Sequence, residues 1–158
     1  MTHARFDPPR SAYQMRLVVS HDDIDDFRHV NNLRWVRWVI DAAAAHSAAA
    51  GLDIGAYLRL GTIWVVRRQE IDYLRAARLA ERLVARTWVD SYGRSSSIRL
   101  TAIESSDGER RYLEAATTWV LVDLKGHPVS VPAAIRDKLP PTAPATSAHD
   151  AALLTPGD

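Results

Sequence analysis

The sequence predicts an α+β fold: one long helix packed on an antiparallel sheet of about five strands. Three observations lead there. A single extended segment, Leu33 to Ala50, carries helical periodicity. One strand candidate precedes it and four follow, with no second long helix between them. Strands grouped along the chain, rather than alternating with helices, favour α+β over a parallel βαβ design.

Residues 1–10 hold two prolines and read as a flexible arm. Tyr13 to Val19 starts with alternating apolar and polar residues, the pattern of a half-buried strand. In the helix, Arg34, Arg37, Asp41 and Ala45 recur at spacings of three and four and form one stripe, within which Arg37 and Asp41 can pair. Trp35, Val36, Val39, Ile40 and Ala43 form the opposite, apolar stripe. Gly51 is placed to end the helix. Thr62 to Val66 is β-branched and aromatic, and its strand extends to Leu74. Arg82 to Tyr92 and Ser95 to Glu104 are the next strands, joined by Ser91-Tyr92-Gly93-Arg94. Ser106-Asp107-Gly108-Glu109 is a hairpin signal leading into the last strand, Arg111 to Leu124, which Lys125-Gly126-His127-Pro128 closes. Pro132 to Leu139 reads as a short helix opened by proline. The stretch 140–158 is dominated by Ala, Pro, Thr, Ser and Asp and reads as a disordered tail, so the folded domain spans 11–139.

Composition narrows the function. The 158 residues suit one domain with a real core, and 47% hydrophobic with 25% charged residues is ordinary for a soluble protein. A net charge of +1 argues against a nucleic-acid partner. Without cysteine there is no disulfide, thiol nucleophile or thiolate ligand. The first ten residues lack a signal-like apolar core and no run could span a bilayer, so no membrane association and a cytoplasmic location are expected. No nucleophile elbow, Walker A loop or His-Glu-x-x-His occurs. An EF-hand starting at Asp23 fails at Arg28 and Arg34. No metal is expected.

The chemistry concentrates in residues 23–32, Asp-Ile-Asp-Asp-Phe-Arg-His-Val-Asn-Asn. A carboxylate and an imidazole at the mouth of an apolar helix can activate water beside a greasy substrate. Free N–H groups at the helix start favour developing negative charge. Each residue also has a plain structural role to weigh: the acids as caps or surface charges, His29 as a backbone partner, the asparagines as helix caps.

This block resembles the motif Asp-x-Asp-x-x-Gly-His-Val-Asn-Asn of hotdog-fold thioesterases, the family of 4-hydroxybenzoyl-CoA thioesterase and the acyl-carrier-protein thioesterases. The resemblance continues through Arg34-Trp35-Val36-Arg37-Trp38, Arg67 to Arg75 and Thr118 to Asp123, covering about 13–139. It implies a hotdog fold, in which a curved antiparallel sheet wraps a central helix. It implies hydrolysis of acyl-CoA or acyl-carrier-protein thioesters with no dissociable cofactor. Asp25 matches the acid that acts as general base or nucleophile, and His29 the histidine that assists it. Asp23 is expected to hold the loop. The backbone N–H groups of Val30 and Asn31 are candidates for the oxyanion hole, and Asn32 for capping or loop support. Two subunits pair in the resembled family, so a homodimer or tetramer is expected, with Gly61 and Thr62 on the facing wall of a shared site. Two departures stand out: Arg28 replaces the motif glycine, and Phe27 replaces an asparagine frequent in the carrier-protein branch.

Two rival functions remain. One is a hotdog dehydratase or hydratase, whose different histidine motif is not found. The other is a non-catalytic acyl-thioester binding protein. The five tryptophans could line a pocket or fill the core; Arg67, Arg68, Arg75 and Arg78 could meet coenzyme A phosphates or water. In the strand after Gly93, Ile98, Leu100 and Ala102 alternate with Ser97, Arg99 and Thr101, which gives one polar face and argues that subunits pair edge to edge.

Overall fold

The computed structural model describes residues 3–142; most of the expected disordered tail lies outside them. The order is β1 (Tyr13–Val18), α1 (Asn32–Ala49), α2 (Ile54–Arg59), β2 (Thr62–Tyr73), β3 (Arg82–Tyr92), β4 (Ser96–Ser105), β5 (Arg111–Asp123) and α3 (Ala133–Lys138). The five strands form one sheet in the order β1-β3-β4-β5-β2, every neighbouring pair antiparallel. One long helix on a curved antiparallel sheet is the expected hotdog architecture. The strands at the two edges are therefore β1 and β2.

Helix α1 starts where it does because Asn31 caps it: the Asn31 side chain accepts the Leu33 N–H at 2.8 Å. It stops at Ala50, after which Gly51 takes φ +79°, a conformation costly for any residue with a Cβ. Its apolar stripe is buried through Trp35, Trp38, Val39, Ala42 and Ala43. These pack on Leu83, Ala85, Ile103, Leu113 and Ala115, drawn from three strands. Trp38 belongs to this stripe, whereas Val36 is half-buried. Arg37 and Asp41 pair across one turn at 2.9 Å, as their spacing predicts. Helix α2 carries no comparable signal: it has six residues and a glycine inside, and its start is fixed by Asp53, which accepts the Ala56 N–H at 2.8 Å.

Two sequence expectations need correction. The polar face of β4 is not a solvent face. Ser97, Arg99 and Thr101 point to the helix side and are 5%, 6% and 1% exposed. Leu100 and Ala102 point the other way, where they are buried with Phe6, Ala12 and Trp88. Both faces of β4 are covered, so its alternation does not separate inside from outside. The cover on the outer face is the N-terminal segment, which is more fixed than its two prolines suggest. Phe6 is buried, and the His3 N–H and imidazole Nδ1 reach the Glu114 carboxylate at 3.1 and 2.9 Å. Arg111 links Asp7, Glu104 and Glu114 beneath it. Burial opposes ionisation of Glu114, but His3 and Arg111 outweigh it and hold the carboxyl below its usual range.

Candidate active site

In the loop between β1 and α1, the turn at Asp25 is closed by bonds among residues 25–29. The Asp25 N–H donates to the His29 carbonyl at 2.9 Å, and the Arg28 N–H donates to the Asp25 carbonyl at 3.0 Å. The Asp25 side chain completes the turn: Oδ1 accepts the N–H of Phe27 at 2.9 Å and of His29 at 3.3 Å. Its other oxygen, Oδ2, has no partner among the described residues. One oxygen is thus fixed and one is open. Arg28, at the motif's glycine position, sits at φ 62°, so this chain accepts a left-handed arginine where glycine would be unstrained.

Asp23 is the loop's anchor. It is 5% exposed, its Oδ2 accepts the Ser20 N–H and hydroxyl, and its Oδ1 pairs with Arg34 on the first turn of α1. Burial works against the charge, yet Ser20 and then Arg34 prevail and keep the carboxyl below its usual value. The loop-holding role expected of Asp23 thus fits its bonds. Asp22 and Asp26 are exposed.

The oxyanion candidates divide differently from the sequence reading. The Val30 N–H donates to the Ala77 carbonyl at 3.0 Å, and the Asn31 N–H donates to the Asp23 carbonyl at 2.8 Å. Neither is available to a substrate. The Leu33, Arg34 and Trp35 N–H groups are all taken up by Asn31. The Asn32 N–H is left without an acceptor among the described residues. Asn31 is therefore the cap, and Asn32, exposed as the first helical residue, offers its backbone rather than its side chain. Sequence alone could not separate them, because either asparagine can cap.

Asp25, His29, Val30, Asn31 and Asn32 come together at one end of α1. Gly61 and Thr62 do not join them within the chain. Gly61 follows α2, beyond the far end of α1, and Thr62 opens β2. Strand β2 nears the loop only past its other end, where the Ala77 carbonyl meets Val30. Twelve residues of strand separate the two places, on the order of 35 Å if fully extended. An open groove lined by Ile24, Asn31, Leu33, Arg34 and Arg37 runs beside the loop, with Leu33 72% exposed in its wall; Phe27, in the loop itself, is 81% exposed.

A second feature was not singled out from sequence. A cavity of about 520 Å³ lies between the C-terminal half of α1, α2 and the sheet, with Ile40, Ala43, Leu52, Ile63, Trp64 and Trp119 in its wall. Trp64 and Trp119 are thus pocket residues, whereas Trp35, Trp38 and Trp88 are core. Arg99 also faces this cavity. Its Nη1 lies 2.8 Å from His46 Nδ1 and 3.4 Å from Thr87 Oγ1. Burial, then the charge of Arg99, pushes His46 down to about 4, so its Nδ1 serves as acceptor near neutral pH. The signal for these residues is the β4 alternation, misread because a polar strand face ordinarily meets water. Arg67, Arg68, Arg75 and Arg78 are all exposed. The one group of potential metal ligands among the described residues, His3, Asp72 and Glu114, lies under the N-terminal segment, with Glu114 already paired to Arg111.

Solved structures share this architecture. A 1,4-dihydroxy-2-naphthoyl-CoA thioesterase from Synechocystis aligns over 82% of this chain and 96% of its own, with a TM-score of 0.75 and 14% identity. A Pseudomonas aeruginosa protein, PA5185, aligns over 84% and 94%, with a TM-score of 0.73 and 23% identity. A Staphylococcus aureus protein, SAV2348, solved in complex with CoA, aligns over 81% of each chain, with a TM-score of 0.75 and 12% identity. At such identities the likeness establishes the fold. No curated protein matches the sequence. The sequence profile of the thioesterase-like superfamily matches residues 19–139, from the end of β1 through α3, and so takes in the Asp25 loop, the capped helix and the whole of the remaining sheet. The chain belongs to the thioesterase-like superfamily.

Proposed function

We propose that the protein hydrolyses acyl thioesters of coenzyme A, or of an acyl carrier protein, and that Asp25 performs the chemistry. The observation that carries this is the asymmetry of the Asp25 carboxylate: Oδ1 is held by two backbone N–H groups while Oδ2 is open, at the end of α1 where the Asn32 N–H is also open. Oδ2 takes a proton from water as it attacks the thioester carbon, or attacks that carbon itself. The carbonyl oxygen gains charge in either case, and the Asn32 N–H, at the positive end of the helix dipole, is placed to receive it. Collapse expels the thiolate; the water route leaves the free acid directly, whereas direct attack leaves an acyl–Asp25 anhydride that water then hydrolyses to the free acid. His29, anchored to Asp25 through the backbone on both sides, orients the loop and offers its ring to the substrate. The CoA-bound relative of the same fold supports a CoA thioester as substrate.

The active unit in this reading is at least a homodimer. Edge strand β2 is twelve residues long, and Val65 and Val66 on it are 39% and 44% exposed. Long apolar edges in soluble proteins are ordinarily paired. A second copy continuing the sheet there would supply the wall that Gly61 and Thr62 do not provide within one chain. The test is a panel of acyl-CoA thioesters assayed with a thiol-trapping reagent, with and without Asp25→Asn. Turnover retained by the folded variant would refute the role of Asp25. A monomeric mass by light scattering at assay concentration, with full turnover, would refute the dimer.

A further inference from the structure

We infer that the cavity beneath α1 binds the carboxylate of an apolar acid, with Arg99 as its counter-charge. The cavity wall is mainly aliphatic and aromatic, and its size falls within the usual range for small-molecule pockets. Arg99 is 6% exposed and forms no ion pair with any acid among the described residues. Its partners are a neutral imidazole and a hydroxyl, and both sit on Nη1. Among the described residues the other edge of the guanidinium, Nε and Nη2, donates to no protein group; that edge matches the two oxygens of a carboxylate. Among the described residues the only carboxylate in the cavity wall is Asp53, which is exposed and caps α2. Trp119, also in the wall, has a buried indole N–H without an acceptor.

A buried cation without a counter-charge is expensive, and such groups are ordinarily paired. Burial lowers the pKa of Arg99 to about 10, which still leaves it charged near neutral pH. The rest of the site is built to keep that charge in place. Thr87 holds Arg99 on one side while itself donating to the Leu100 carbonyl and accepting from Thr101. Tyr13 stacks on His46 at 5.3 Å. The ligand implied has an apolar body and one anionic end. Two molecules offer that chemistry: an acyl chain carrying a second, terminal carboxylate, or a free monocarboxylic acid. The first makes the cavity a specificity pocket and rests on the thioesterase and dimer readings, since Asp25 of the same chain lies at the other end of α1; simple binding does not.

The experiment has two arms. In the first, wild-type protein is titrated with decanoate and with decanol, followed by calorimetry and by tryptophan fluorescence, since Trp64 and Trp119 report on the cavity. Decanoate is expected to bind at least about tenfold tighter than decanol, the scale of a charge-assisted hydrogen-bond pair. Arg99→Met is expected to abolish that difference while leaving decanol binding in place, and Arg99→Lys to keep part of it. Equal binding of the two ligands by the wild type, no binding of decanoate, or full decanoate affinity in folded Arg99→Met overturns the proposal. The wild-type comparison decides even if Arg99→Met does not fold. In the second arm, decanoyl-CoA is compared with the mono-CoA thioester of decanedioic acid. A wild-type preference for the dicarboxylic thioester, lost in Arg99→Met, assigns the site to the substrate. Equal turnover with decanoate binding intact assigns it to a free acid. Failure of both thioesters to turn over sinks the thioesterase reading and leaves the binding arm to stand or fall alone.

Discussion

The two ends of α1 handle charge in opposite ways. At its N-terminus, Asp25 sits in a half-exposed loop, and every bond that shapes it comes from within four residues. Towards its C-terminus, Arg99 on β4 is buried at the wall of a cavity, and its partners come from α1 and β3. The first arrangement is cheap in packing and leaves one carboxylate oxygen open. The second costs desolvation and is stable only with polar partners aimed at it. The proposed reactive group thus lies where the fold asks least of a charge, and the proposed recognition group where a charge is dearest to hold.

The sharpest way to break this contrast is to alter each acid of the loop. Asp25→Asn keeps an oxygen for the Phe27 and His29 N–H groups, so the melting temperature is expected to hold while thioester hydrolysis falls about a hundredfold or more. Asp23→Ala is expected to do the reverse. It removes the buried anchor of Ser20 and Arg34, at a cost of about 2 kcal/mol after allowing for the partial exposure of Arg34. Chemical denaturation and a thioester-hydrolysis assay of the two variants side by side check both. If Asp23→Ala is as stable as wild type, the loop is not anchored there.

The other end of the helix gives a pH signature. His46 is held neutral in the fold, at about 4, against an ordinary value of 6.5. Between those values the unfolded chain binds the extra proton and the folded one does not. Stability is therefore expected to fall as pH drops from 6.5 towards 4. Asp23 and Glu114, both depressed, add their own loss only nearer the ordinary carboxylate range, so the interval from 6.5 to about 4.5 belongs to His46. His46→Gln should flatten the melting profile across that interval; an unchanged slope would show that the imidazole is not held neutral. The smallest effect expected is from Arg28→Gly. It relieves the left-handed backbone but loosens the unfolded chain, for a net gain of about 0.5 kcal/mol. A loss would mean that the arginine side chain holds the loop.

Those opposite designs also decide what could be read in advance. The Asp25 loop was legible because its order is local: motif, turn and cap fall in ten consecutive residues. The strands and α1 were legible because period and turn residues mark them. Helix α2 was not, being too short for periodicity and begun by a single cap at Asp53. The Arg99 cavity was not, because Arg99, His46 and Trp119 are far apart in sequence and polar alternation in β4 normally signals water. The outer cover over Leu100 was missed for the same reason. Phe6 is one aromatic in a proline-bearing arm, and only the fold brings it to Trp88. Which N–H at the helix start stays open also needed the backbone, since Asn31 and Asn32 are equivalent as letters.

That arm has a practical side. The Phe6 ring and Ala12, with ion pairs at Glu114, Asp90 and Asp7, close the outer surface of the sheet at Leu100. Anything joined to this end of the chain, such as a purification tag or a fusion partner, pulls directly on the latch. A tail that peels Phe6 away would bare Trp88 and Ala102 and turn a quiet surface into an adhesive one. Handling of the protein in concentrated solution then depends on a short segment outside the Asp25 loop.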